Sequence, residues 1–198
     1  MNRSDRFRQA IQLKDGPKRT AALAAWVQSL FVDRTPVLVG GAAVELYTGG
    51  AYTTGDLDFV GQVSPSVDSA LTEAGFRREG RHWVHEAQEI FIEFPGSAVA
   101  VGEKTATIIV DGIQVLTLSP EDILVDRLAA WQFWKSATDG INAFLIWKAQ
   151  RERLDDRRLT SIARDRGVAV ALGQLQKLIE AGDSPSSETL EQWANRRL

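Results

Sequence analysis

The chain has 198 residues, 44 % hydrophobic and 25 % charged, with 23 Lys plus Arg against 26 Asp plus Glu and a net charge of −3. That composition excludes wholesale disorder, and the slight negative charge argues against coating of nucleic acid by bulk electrostatics. The absence of cysteine removes disulfide scaffolds, thiolate zinc sites and cysteine nucleophiles, and two histidines, His82 and His85, cannot make a three-histidine centre. No apolar run approaches the roughly 18 residues of a membrane span. The opening MNRSDRFRQA has charge but no apolar core of a secretory signal, so a cytoplasmic location without membrane contact is expected.

In chain order, the first 34 residues read as helical. Phe7, Ile11 and Leu13 give a short apolar face, Gly16-Pro17 breaks it, and Pro17 to Val32 carries apolar residues at helical spacing. The period then changes. Pro36-Val37-Leu38-Val39-Gly40 is a continuous apolar run, as in a buried strand, and a short helix from Ala42 to Thr48 follows, closed by Gly49-Gly50. Asp56 to Val60 reads as a second strand, and Ser64-Pro65 starts a helix to Glu73. Strands are expected at Arg81–Val84 and Ile90–Phe94, and at Thr105–Val110 and Ile113–Leu118, joined by the hairpin signal Asp111-Gly112. From Ser119-Pro120-Glu121-Asp122, a capped helix start, the chain reads as helical at about 120–135, 139–151, 155–165, 168–181 and 187–196, with Gly167, Gly182 and Pro185 as breaks. This predicts an α/β domain over 1–118 with N-terminal helices, and a helical domain over 119–198.

The chemistry concentrates between Val37 and Val60. Asp56 and Asp58 are two apart in an apolar strand, so both point to one face while Leu57 and Phe59 point to the other. Two acids on one face repel each other, and a divalent cation with a preference for hard oxygen ligands, Mg²⁺ or Mn²⁺, would offset that repulsion. Glu93 is likewise a lone acid in an apolar strand, and beside the Asp pair it would complete a three-carboxylate site for phosphoryl or nucleotidyl transfer. Gly40-Gly41, at the turn from strand to helix, lets backbone approach a phosphate closely.

This segment resembles the nucleotidyltransferase superfamily related to DNA polymerase β: a hydrophobic strand, Gly-Gly, a short helix, then a hydrophobic-flanked Asp-x-Asp and a later acid. More narrowly, Gly40-Gly41-Ala42-Ala43, Tyr47, Gly49-Gly50, Thr53-Thr54 and Asp56-Leu57-Asp58-Phe59 are similar to AbiEii-type abortive-infection toxins and their bacterial relatives. So are Leu118 to Leu124, Arg127 to Ala130, and Lys135 with Asp139. The resemblance implies a nucleotidyltransferase-like fold, a small mixed sheet with helices on one face and a helical C-terminal domain. It implies Asp56, Asp58 and Glu93 as catalytic metal ligands for Mg²⁺ or Mn²⁺, and Gly40, Gly41 and Thr54 at the nucleotide. The reaction implied is transfer of NMP from an NTP to a hydroxyl of RNA or protein, in a cleft between the two domains, with a toxin or phage-defence role and a partner antitoxin. Two alternatives stand beside it: a non-catalytic member that binds a nucleotide or partner, and a small-molecule nucleotidyltransferase of the antibiotic-modifying type.

Relatives usually carry an Arg shortly before the Asp pair, but here no Lys or Arg lies between Arg34 and Arg77. A triphosphate requires a cation, which leaves Arg77, Arg81, Lys104, Arg127, Lys135 and Lys148, with Arg127 and then Lys135 favoured for following the capped start at Ser119. His82 and His85 read as surface residues of a hairpin. Trp131, Trp134 and Trp147 read as core by their spacing, and the basic stretch from Lys148 to Arg166 as a solvated helix face.

Overall fold

The structure, a computed structural model, describes residues 2–181 and 186–195. Gly182, Pro185 and residue 196, named above as a helix break or end, lie outside them. The chain divides into two compact units, Met1–Ser119 and Pro120–Leu198.

In the first unit, helices α1 (Arg3–Ile11) and α2 (Pro17–Leu30) precede β1 (Val37–Val39), α3 (Gly40–Thr48), β2 (Asp56–Val60) and α4 (Pro65–Glu73). Strands β3 (Arg77–Glu79), β4 (His82–His85), β5 (Ile90–Gly96), β6 (Thr105–Val110) and β7 (Ile113–Leu118) complete it. Local signals act as their chemistry dictates. Pro17 opens α2, Ser64 caps α4 by accepting the Val67 N–H, and Asp111 and Gly112, at φ +48° and +80°, turn the β6–β7 hairpin. The seven strands form one mixed sheet in the order β3-β4-β5-β2-β1-β7-β6. The β2–β5 and β1–β7 pairs are parallel and the others antiparallel.

One face of this sheet is the core. Leu38, Leu57, Phe59, Trp83, Ile92 and Val115 are all buried there. Helices cover that face: the Tyr47 hydroxyl on α3 donates to the Leu118 carbonyl at 2.7 Å, and Trp83 Nε1 donates to Asp68 on α4 at 2.9 Å. Phe7, Trp26 and Phe76 form an aromatic cluster, which His85 joins edge-on to Phe76 at 5.2 Å. His85 is therefore packed, not the surface residue its hairpin position predicts, because its ring is apolar enough to fill space against phenyl groups. Strand β3 was not evident in the sequence, since its three residues are all exposed and show no alternation.

Gln28 closes a gap in the sheet. The short β1 meets β7 around Leu38 and Thr117. Beside that contact, the buried Gln28 amide donates to the carbonyls of Pro36 (2.9 Å) and Leu116 (2.7 Å) and accepts the Leu116 N–H (3.1 Å).

The second unit holds α5 (Pro120–Trp134), α6 (Ala137–Gln150), α7 (Asp156–Asp165), α8 (Ala169–Glu180) and α9 (Ser187–Ala194). Trp131 and Trp147 are core residues, and Trp131 Nε1 donates to the Ala194 carbonyl at 2.7 Å. Trp134 departs from the expectation: it ends α5 and is 83 % exposed. Within the basic stretch, Arg158 is no solvated residue, since it pairs with the buried Asp122.

The Gln28 bridge yields a stability prediction. Gln28→Ala leaves three buried backbone groups unpaired and should cost about 3 kcal/mol in denaturant unfolding. A loss under about 1 kcal/mol would mean that water replaces the amide without penalty.

Candidate active site

The face of the sheet opposite the core carries the acids. Asp58 is in register with Val39 on β1 and with Glu93 on β5, and Glu93 is in register with His82 on β4. Register partners point to the same face, so Val39, Asp58, Glu93 and His82 form one row across four strands. The next row on that face holds Asp56, Phe91 and Val84. The sheet thus places Asp56, Asp58 and Glu93 on one surface, with Asp58 and Glu93 on adjacent strands about 4.8 Å apart.

Gly40 meets this row directly. Helix α3 begins at Gly40 itself, two residues earlier than the sequence suggests, and Gly40 has φ +64°. A Cβ on Gly40 would stand 2.2 Å from Asp58 Oδ2, so both its backbone angle and the carboxylate against it demand glycine. The carboxylate of Asp58 therefore lies at the N-terminus of α3, whose N-cap, Val39, has no capping side chain. The helix dipole favours a negative charge there. A Cβ on Gly41 would come within 3.1 Å of Thr54 Oγ1, which joins the second glycine to the loop before β2.

That loop is tied down by a residue the sequence did not single out. Glu45 on α3 is only 1 % exposed, and its carboxylate accepts the Thr54 N–H at 3.4 Å. Thr54 Oγ1 in turn accepts the Asp56 N–H at 3.3 Å. Burial pushes the Glu45 carboxyl above the usual range, partly opposed by hydrogen bonds from the Thr54 N–H and the Thr20 hydroxyl. The signal available in the sequence was a lone acid inside the apolar run Ala42 to Tyr47.

Two cavities flank Asp56 and share Phe91, which is 41 % exposed. The larger, of about 550 Å³, reaches across Thr54 and Glu45 to Arg19, Thr20 and Asp15. Arg19 pairs with Asp15 and donates to the Gln88 carbonyl at 3.1 Å. The smaller, of about 340 Å³, lies among Asp56, His82, Phe91 and Glu93. Glu93 is engaged: Arg81 Nε stands 2.7 Å from one oxygen and His82 Nδ1 3.5 Å from the other.

The two cations favoured from sequence belong to the second unit. Arg127 donates to Asp139 at 2.8 Å and to Asp126 at 2.5 Å, and Lys135 Nζ donates to the Gln132 carbonyl at 2.8 Å. Among the described residues, no group of three or more His, Cys, Asp or Glu side chains is gathered as a metal centre requires. The donor chemistry nonetheless fits a hard divalent cation, because Asp56 and Asp58 present carboxylate oxygens from one strand face and Glu93 stands in register with Asp58 on the adjacent strand.

No family model matches the chain, and no curated protein matches it. Among solved structures it is similar to an antigenic nucleotidyltransferase-like protein from Paracoccidioides brasiliensis, with 15 % identity and a TM-score of 0.54 over 92 % of this chain and 93 % of that one. The fold is accordingly nucleotidyltransferase-like: a mixed sheet backed by helices, with a helical C-terminal region.

Glu45 yields a pH prediction. An acid whose folded-state pKa is raised binds more protons in the folded state, so its contribution to stability falls as pH rises above its unfolded pKa. Glu45→Gln should therefore stabilise the protein at neutral pH, and the advantage should shrink as pH falls toward the ordinary carboxylate range. Denaturant unfolding at pH 5 and pH 7.5 checks this, and an advantage larger at pH 5 contradicts it.

Proposed function

We propose that this chain is a nucleotidyltransferase that moves NMP from an NTP to a hydroxyl of RNA or protein. The observation that carries the reading is the contact of the Asp58 carboxylate with the Gly40 turn. It joins a glycine turn at a helix N-terminus to a pair of carboxylates on one strand face. Asp56 and Asp58, with Glu93 as a third, are the residues that would hold Mg²⁺ or Mn²⁺. Such a cation neutralises charge on the phosphates and makes a bound hydroxyl more acidic.

The chain's own groups divide the remaining work. Gly40 gives the space of its missing Cβ to Asp58 and Gly41 lies close against Thr54, so the first N–H groups of α3, which would face the phosphates, open directly beside the acid pair. Thr54, held by Glu45, keeps that turn and Asp56 in fixed relation. Asp56, the more exposed of the pair, faces both cavities and is placed to accept a proton from an incoming hydroxyl. The similarity of the segment from Gly40 to Phe59 to AbiEii-type toxins supports a role in toxicity or phage defence, with an antitoxin as partner.

A second reading is favoured by one observation. The larger cavity beside Asp56 is walled by Asp15, Glu45 and Glu89 as well. Such a wall suits a small cationic acceptor of the antibiotic type better than an RNA backbone.

The test is incubation with each NTP labelled at the α-phosphate, Mg²⁺, and in parallel total RNA, cell lysate protein or an aminoglycoside. Label should pass to one acceptor class, and Asp58→Asn should lower the rate at least about a thousandfold, as loss of a ligand at a phosphoryl-transfer site does. The same substitution should weaken Mn²⁺ binding in calorimetry. Transfer to no acceptor by a protein that still binds NTP and Mn²⁺ would favour the non-catalytic member.

A further inference from the structure

We propose that Arg81 is the cation that binds the outer phosphates of the nucleotide, an inference that rests on the nucleotidyl-transfer reading. Arg81 occupies the turn between β3 and β4, and its Nε stands 2.7 Å from Glu93. Glu93 is the register partner of Asp58 on the adjacent strand, so the guanidinium rests on the carboxylate next to the Asp pair on the acidic face. Among the described residues Glu93 is its one ion-pair partner, through Nε, which leaves both terminal nitrogens available. A guanidinium offers a phosphate two parallel N–H donors, so those nitrogens suit a terminal phosphate.

Two competing arginines are engaged by other carboxylates. Arg77 pairs with Glu79 and Glu86. Arg127 is held between Asp126 and Asp139, and both it and Asp139 are mostly buried. Pulling it away would leave a poorly solvated carboxylate without its partner. Arg81 has its side chain 67 % exposed on a turn beside Gly80, and the carboxylate it would leave, Glu93 at 19 % exposed, is one that a divalent cation would take up in its place. The Arg81–Glu93 pair also couples two events. Were Glu93 to ligate a divalent cation, its negative charge would be taken up, and Arg81 would be free to turn to the phosphates of the nucleotide.

Binding of a non-hydrolysable α,β-methylene NTP, of the matching NMP, and of Mn²⁺ alone is measured by calorimetry on the full chain. Arg81→Ala should weaken triphosphate binding about tenfold to a hundredfold, while NMP binding changes less than about twofold. Arg81→Lys should recover part of the loss, since lysine restores the charge but not the two-pronged geometry. Mn²⁺ binding without nucleotide should be unchanged or tighter in Arg81→Ala, because Glu93 is released. Thermal unfolding confirms that each variant is folded. Triphosphate binding equal to wild type in Arg81→Ala overturns the assignment, as does an equal loss of triphosphate, NMP and Mn²⁺ binding, which would make Arg81 only a brace for Glu93. A wild-type chain that binds no triphosphate overturns the nucleotidyl-transfer reading and this one together.

Discussion

The contact between the Asp58 carboxylate and the backbone of Gly40 is the constraint around which the first unit is arranged. It exists because β1 and β2 pair with Val39 opposite Asp58, and that register is fixed from the other side of the sheet. Leu57 and Phe59 are 4 % and 0 % exposed and pack in the core with Leu38. A slip of one residue would exchange the faces, exposing both apolar side chains and burying both acids. At about 1.5–3 kcal/mol for each large apolar side chain, before the cost of burying two carboxylates, that slip is strongly disfavoured. The core therefore determines where the acids stand.

Asp56 and Asp58 repel each other, with Glu93 on the adjacent strand, and the sequence pointed to a divalent cation as the natural offset. The structure supplies two partial remedies from the chain. The N-terminus of α3 receives Asp58, and Arg81 receives Glu93. Asp56, with no such neighbour in register, sits at the exposed start of β2, where water screens it. Glu45 solves a different problem. Its burial is costly, but its carboxylate anchors the Thr54 N–H in a loop that otherwise has few ties.

The parts of this arrangement legible in the sequence are those governed by alternation and turn chemistry. The strand Asp56 to Val60 shows its two faces in five letters, and Glu93 betrays itself as one acid among four apolar residues. The hairpin at Asp111-Gly112 and the helix start at Ser64-Pro65 follow from local rules. What was hidden depends on tertiary placement. The start of α3 was set two residues late because a glycine with positive φ is an unusual first helical residue, tolerated here by the carboxylate that fills the space of its missing Cβ. Trp134 obeys the spacing of a core residue, yet α5 ends at it and the next residue, Lys135, has φ +58°, so no following turn covers the ring. Arg81 stood in the sequence only as one of six cations open to a triphosphate, ranked behind Arg127 and Lys135, because charge in a turn between two short strands is the usual composition of a surface.

The same reasoning separates the duties of the two units. Gly40, Gly41, Thr54, Asp56, Asp58, Arg81 and Glu93 all belong to the first, whose sheet sets their mutual positions through strand register and two close glycine contacts. Register is a rigid device: neighbouring strands hold their partners at a spacing set by backbone hydrogen bonds, not by flexible side chains. The cations of the second unit are engaged in its own packing, with Arg127 joining α5 to α6 through Asp139 and Arg158 joining α7 to α5 through Asp122. A mostly buried ion pair that links two helices is destabilising to break, because the carboxylate left behind has little water to replace its partner. The Arg81–Glu93 pair instead joins a turn to a strand within the sheet and keeps its arginine exposed, so it is not tied into helix packing in that way.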